Sequence, residues 1–554
     1  MPDAEEPRIL TYLNKLAGAE MITRIIIDGY RCFEHLDFEP NPGLNIVVGD
    51  NECGKSTLLE TIALALTGKI NGRWASEELN PYWFHYPSVL QFFDSYKPGE
   101  AVPPEVVIEL YLSNDIDALQ RLRGVHNSQK EDCPGVALRV SLAGDYRAEF
   151  AKYMESEPPT VLPVEYYEIE WRSFGDDRLV KRPKELAASY IDSRTIRSTA
   201  GVDFHTREML SEHLESRERA EISLASRRSR QEITEKTLGA INDRIRRDSE
   251  KLHDKPIGLQ MDQSARNSWE TGIVPQVDEI PFAMSGQGQQ AAIKMSLAMS
   301  KTTGTSTYVL IEEPENHLSY TSLNQLISRI DYLAGEEQQL FVCTHSSFVA
   351  NRLGIDRLVL LHRGNAAMLS TLPDDTVAYF RKLPGYDTLR LALARQVALV
   401  EGPSDAMIVE RAYRDSKGKL PIEAGIDIVS MGGLTFRRAL EVCRALDRKG
   451  VALRDTDEQA PSKIRDGLAD LLEDGSREIF IGEPATGKTL EPQLASANSE
   501  EVMRRVLGLP DGTNIATWMG NNKTEAAIRI FDAEERIEMP AYVTEAIEFL
   551  GTHT

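Results

Sequence analysis

Residues 44–66 read LNIVVGDNECGKSTLLETIALAL, and the class of fold follows from this stretch. A short apolar strand runs into a glycine-bounded turn, and an apolar run at helical spacing follows it. Inside it, Gly49 to Ser56 satisfies GxxxxGK[ST], with Thr57 next in line. The chemistry needs these residue types at this spacing. Backbone N–H groups around Gly49, Asn51 and Gly54, together with the helix N-terminus, can cradle a polyphosphate. Lys55 reaches its terminal groups, and the Ser56 hydroxyl, backed by Thr57, can coordinate Mg²⁺. The strand before and the helix after supply the context that a chance glycine turn lacks.

Upstream, MITRIIIDGYRCF from Met21 alternates at strand period. The first twenty residues fall outside the pattern and read as an extension with no assigned function. Downstream, EVVIELYL, VALRVSL and EYYEIEW, between about Glu105 and Trp171, predict a meandering β-lobe. From about Phe204 to Leu252 the sequence is helical, dense in charge and free of proline. Eight arginines gather between Arg217 and Arg247, among them Arg227, Arg228, Arg246 and Arg247. The plain reading is an exposed helical hairpin with solvated faces; the sharper one is an arm that dimerises the protein or touches DNA.

Three further motifs follow the phosphate loop. YVLIEE, from Tyr308, is an apolar strand ending in Glu312 and Glu313. Acids at the end of a buried strand call for a partner such as a cation or a polarised water. Glu312 is placed to help hold Mg²⁺ and Glu313 to act as general base on an attacking water. Ser285-Gly286-Gln287-Gly288-Gln289 opens a predicted helix, and the strand LFVCT ends at His345. The order phosphate loop, Ser-Gly turn, acidic strand, histidine resembles an ABC-type ATPase head, nearest to those of chromosome-maintenance and DNA-repair proteins. The resemblance implies ATP as the nucleotide, with Ser285, Gly286, Gly288 and Gln289 meeting the γ-phosphate from a facing protomer and His345 sensing it. Two departures stand out: the signature reads SGQGQ, and the usual aspartate of the acidic strand is Glu312.

A second α/β pattern begins near Val397. The strand VALV ends in Glu401, and Asp405 follows on the first turn of a helix. The strand around VAL at 451–453 ends in Asp455-Thr456-Asp457, whose two aspartates share a strand face. Four acids at one sheet edge repel unless Mg²⁺ or Mn²⁺ neutralises them. This arrangement resembles a Toprim domain, and ABC head followed by Toprim resembles the overcoming-lysogenization-defect (OLD) family over about residues 21 to 554. By that resemblance Glu491 completes a second metal site and Lys523 stabilises charge on a scissile phosphate. A second match to the phosphate-loop pattern, Gly482 to Thr489, reads as a loop presenting Glu491, because Pro484 removes a backbone donor that a phosphate nest would use.

The expected fold is therefore α/β: an N-terminal extension (1–20), an ABC-type ATPase domain (21–395) carrying the helical insertion 204–252, and a C-terminal Toprim domain (396–554). The expected function is an ATP-regulated, divalent-metal-dependent DNA endonuclease of bacterial phage defence. It would work as a homodimer or higher oligomer, in some relatives beside a helicase-like partner, as in the Gabija system. A DNA-repair or chromosome-organising ATPase without nuclease activity is the alternative, and a topoisomerase-like Toprim enzyme a further one. Primase is disfavoured by the lack of zinc-type cysteine pairs among Cys32, Cys53, Cys133, Cys343 and Cys443.

The whole chain is consistent with this. At 554 residues it is too long for one core. The net charge of −23 argues against a protein that coats nucleic acid, so DNA contact needs a local basic patch or bound metal. No apolar run reaches membrane-spanning length and no signal-peptide layout opens the sequence, which leads to an expected cytoplasmic location.

Overall fold

The computed structural model describes residues 22–70, 72–96, 101–156, 161–192, 214–249, 257–264, 269, 273, 276–277, 279–286, 288–290, 293, 307–316, 318–333, 338–362, 364–369, 372–382, 388–431, 436–456 and 459–551. Asp457, Gln287, residues 1–20 and parts of 204–252 lie outside them.

Three sheets organise these residues. The first is antiparallel: strand Ile22–Tyr30 lies between Phe33–Phe38 and Val106–Leu112, and Cys133–Leu142 and Tyr167–Ser173 extend it. The β-lobe expected at 105–171 is thus continuous with the first strands of the chain. The second sheet runs 188–192, 308–312, 339–343, 44–49, 358–362, 365–368, parallel except for its last pair. Strands Tyr308–Glu312 and Gln339–Cys343 are buried throughout, as a parallel sheet covered on both faces requires.

The helix Lys55–Thr67 fills the space between these two sheets. It buries Leu58, Leu59, Ile62 and Leu66 completely, each contributing about 1.5–3 kcal/mol. The Trp171 indole N–H donates to the Ala65 carbonyl at 2.8 Å, pinning the helix to the antiparallel sheet. Gly68 ends it in the left-handed conformation.

The third sheet is wholly parallel, ordered 426–430, 396–400, 449–454, 477–481. Its first strand, Gln396–Val400, has the second on one side and the third on the other. The chain therefore changes direction there, which opens a crevice at the carboxyl ends of Gln396–Val400 and Lys449–Arg454. One apolar core runs from beneath the second sheet (Ile46, Val309, Leu340) to this third one (Val397, Leu399, Leu440). Arg438 with Asp375, Thr376 with Glu441, and Arg390 with Asp427 join the same two regions by polar contacts. Residues 216–249 form exposed helices, Ser216–Glu232 and Gly239–Ser249, around a short π-helical turn.

Candidate functional site

The phosphate loop leaves strand Leu44–Gly49 and enters its helix through Gly54. Gly54 has φ 104°, and a Cβ there would lie 2.7 Å from both the Phe33 ring and the Cys32 sulfur, so the turn admits only glycine. The Lys55 ammonium is buried and donates to the carbonyls of Gly49 (2.9 Å) and Asp50 (2.8 Å), which holds it over the loop.

The acidic strand delivers Glu312 to this loop. Its carboxylate, 1% exposed, accepts from the Ser56 hydroxyl on one oxygen and from Tyr190 Oη at 2.7 Å on the other. A buried carboxylate held by a loop serine and a phenol is a point of attachment for a hard cation. Tyr190 escaped the sequence reading because it belongs to strand Ala188–Asp192, which pairs with the acidic strand across more than a hundred residues of chain.

Glu313 takes a left-handed conformation (φ 48°) and its N–H donates to the Cys343 carbonyl at 2.9 Å. This turns its side chain away from the strand register. Asn316 Nδ2 donates to Glu313 Oε2 at 2.5 Å, and His345 Nε2 stands 3.8 Å from Glu313 Oε1. Glu315 fixes the histidine turn by accepting from Thr344 Oγ1 (2.8 Å) and the His345 N–H (2.9 Å). The structure thus gathers Lys55, Ser56, Glu312, Glu313 and His345 around one loop. Ser285, Gly286, Gly288 and Gln289 make no hydrogen bond to that loop among the described residues. Gly286 is exposed, and the turn is closed by Gln290, whose N–H donates to the Gly286 carbonyl at 3.0 Å.

The second constellation stands at the crevice of the third sheet. Glu401 ends strand Gln396–Val400, and its Oε1 accepts the Asp455 N–H at 3.3 Å. Asp405, on the first turn of helix Pro403–Lys417, accepts the Gly402 N–H at 2.9 Å. Asp455 accepts the Leu490 N–H at 3.0 Å, which ties the third strand to the first turn of helix Leu490–Ala497. On that turn Glu491 is buried, accepts from Thr489 Oγ1 at 2.7 Å and pairs with Lys523 Nζ at 3.1 Å. The loop Gly482–Thr489 accordingly ends at this site, with the Lys488 carbonyl accepting from Thr456 Oγ1 at 3.3 Å.

Burial, then the neighbouring Glu401 and Asp405 carboxylates, push the Asp455 carboxyl up to about 7. Burial and Glu491 raise Asp405 as well. Burial alone would lower the Lys523 ammonium, but Glu491 and the two aspartates outweigh it and raise it. Such crowding of hard oxygen donors, relieved by one lysine, fits a divalent cation of the Mg²⁺ or Mn²⁺ kind. As the side chains stand, no three of the described acids converge on one point at ligand distance. The structure also brings in Tyr542, from helix Ala541–Gly551, which lines the same crevice.

Comparison with known proteins defines the class. Residues 24–133 match a family model described as an AAA domain, and residues 187–350 one described as an AAA ATPase domain. The chain thus carries AAA-type ATPase matches, followed by a C-terminal Toprim domain. That second part is of a particular kind: residues 393–457 match the model for the overcoming lysogenization defect protein-like TOPRIM domain. The DNA replication and repair protein RecF of Desulforudis audaxviator (strain MP104C) is 47% identical over 47 residues, which cover 8% of this chain and 13% of that protein. Among solved structures, the Smc head domain bound to the C-terminal domain of ScpA, derived from Pyrococcus furiosus, is 12% identical with a TM-score of 0.32, covering 63% of this chain and 95% of that one. The C-terminal region of the Xanthomonas campestris pv. campestris OLD protein is 20% identical with a TM-score of 0.23, covering 29% and 94%. Among the described residues no helix is long and apolar enough to cross a membrane.

Proposed function

We propose that this protein is an ATP-regulated, divalent-metal-dependent DNA endonuclease. The observation that carries the reading is Asp455, buried beside Glu401, Asp405 and Glu491 at the switch point of a parallel sheet, with Lys523 against them. Glu401, Asp405, Asp455, Asp457 and Glu491 would hold Mg²⁺ or Mn²⁺. Bound there, such ions supply activation of water on one side of a phosphodiester and shielding of the leaving oxygen on the other. Lys523 brings a positive charge to the crevice mouth, where it offsets Glu491 and faces an incoming phosphate. In a chain of net charge −23, this cation and the metals are what make a DNA backbone acceptable at an acidic cluster.

At the other site Asn316 orients Glu313 as general base, and Glu312 with Ser56 aligns the nucleotide's Mg²⁺. Gly49, Asn51, Gly54, Lys55 and Thr57 hold the phosphates, and His345 stands where a γ-phosphate can be sensed. Ser285, Gly286, Gly288 and Gln289 would be supplied by a second copy, which makes the working unit a homodimer. The helices of 204–252 are the proposed dimerising arm. Phage defence in the bacterial cytoplasm, with or without a helicase-like partner, is the setting this reading suggests.

The test is incubation of supercoiled plasmid with the protein and Mg²⁺ or Mn²⁺, with and without ATP. Nicked or linear product that disappears in Asp455→Ala supports the reading. Relaxed closed circles would replace it with a topoisomerase, and intact plasmid beside ATP hydrolysis with a DNA-organising ATPase.

A further inference from the structure

The crevice that holds the acids has an apolar lining as well. Leu453, Leu490 and Val543 line it together with Glu401, Asp405 and Asp455. Among the described residues lining this crevice, Tyr542 is the only one whose side chain carries a hydroxyl; the others are carboxyl groups or hydrocarbon. It is only 7% exposed. Val543, Ala546, Ile547 and Leu550 bury the same helix against the third sheet, so the ring has a fixed position.

No hydrogen bond joins the Tyr542 hydroxyl to any of the described residues. Tyr542 lines the crevice together with Glu401, Asp405 and Asp455. Burial, followed by the Asp455, Asp405, Glu401 and Glu491 carboxylates, holds its proton on well above the ordinary phenol value.

We propose that Tyr542 is a positioning residue of the metal site, its hydroxyl donating a hydrogen bond to a water on the cation proposed for this crevice. This rests on the reading of the crevice acids as metal ligands. A donor beside the acids fixes the orientation of that water. Groups in this relation to a metal typically change its affinity or the activity by about 10- to 100-fold when removed.

Mn²⁺ titration by calorimetry on the full-length protein tests the proposal, with Tyr542→Phe and Asp455→Asn measured beside wild type. Tyr542→Phe keeps the ring in its packing and is expected to melt like wild type without metal. It should bind Mn²⁺ about 10- to 100-fold more weakly. Plasmid cleavage should then need correspondingly more Mn²⁺, with the rate recovered at saturation. Wild-type Mn²⁺ affinity in Tyr542→Phe, with Asp455→Asn impaired, overturns the role of Tyr542 and leaves the metal site standing. Wild-type affinity in Asp455→Asn removes the metal-site reading itself. If Tyr542→Phe melts early, its Mn²⁺ affinity is measured below its melting range, and wild-type affinity there overturns the proposal. A covalent protein–DNA adduct that Tyr542→Phe abolishes would also overturn it, by making the phenol a nucleophile.

Discussion

Replacing Asp455 by Asn should stabilise the metal-free protein while abolishing its response to metal. In the native state the carboxyl is 7% exposed and pushed up to about 7 by burial and by Glu401 and Asp405. In the unfolded chain it titrates near the ordinary aspartate value of 3.8. Between these values the folded protein keeps a proton that the unfolded chain has lost, so stability falls as pH rises through the window and the full cost remains above it. At about 1.36 kcal/mol per pKa unit, the cost is about 2 kcal/mol at pH 5 and about 4 kcal/mol at pH 8, both upper values because neighbouring acids share the proton. Asparagine removes this cost and still accepts the Leu490 N–H. For a unit of roughly 150–250 residues, 1 kcal/mol moves a melting point by about 2–4 °C. Differential scanning calorimetry in EDTA should therefore show the variant melting several degrees above wild type at pH 8, with a smaller gain at pH 5. Added Mn²⁺ should raise wild type and leave the variant unmoved. A gain equal at the two pH values, or a variant that melts below wild type at pH 8, would refute the argument that crowded charge dominates this crevice.

Lys55→Ala should weaken ATP binding by at least about 10- to 100-fold, the value of a charge-assisted contact, whereas Lys488→Ala should leave it unchanged; equilibrium binding of a fluorescent ATP analogue distinguishes them, and loss in the Lys488 variant would reassign the second loop. Glu313→Gln should slow ATP hydrolysis by about 10²- to 10⁴-fold through loss of the general base, with Mn²⁺ affinity at the Toprim site retained; a phosphate-release assay that finds wild-type turnover would remove Glu313 from that role. Tyr190→Phe removes one hydrogen-bond donor from the buried Glu312 carboxylate, a cost of about 1–3 kcal/mol. It should raise the Mg²⁺ concentration needed for ATP hydrolysis several-fold, and an unchanged Mg²⁺ dependence would show that the phenol does not set the carboxylate.

The sequence by itself determined the elements whose signal is local. The strand, turn and helix of residues 44–66 are specified by adjacent residues: apolar strand formers, a glycine where φ is 104°, and leucines at helical spacing. The same holds for the two sets of acids, because a carboxylate ending an apolar strand is visible wherever that strand goes, and the order of the motifs carried the class of fold. What only the tertiary structure decided are the partners that those acids meet. Tyr190 reaches Glu312 because strand Ala188–Asp192 adds in parallel to the acidic strand, a pairing that no periodicity announces. Asn316 meets Glu313 because that residue turns into the left-handed region after the strand. Tyr542 reaches the crevice from a helix well over a hundred residues beyond Glu401. The continuity of core between the second and third sheets was equally hidden, since Leu340 and Leu399 each read as the centre of its own buried strand. Local backbone preference and hydrophobic period are written in neighbouring residues, whereas the proximity of distant side chains is set by how sheets and helices pack, which a single sequence encodes only through the fold as a whole.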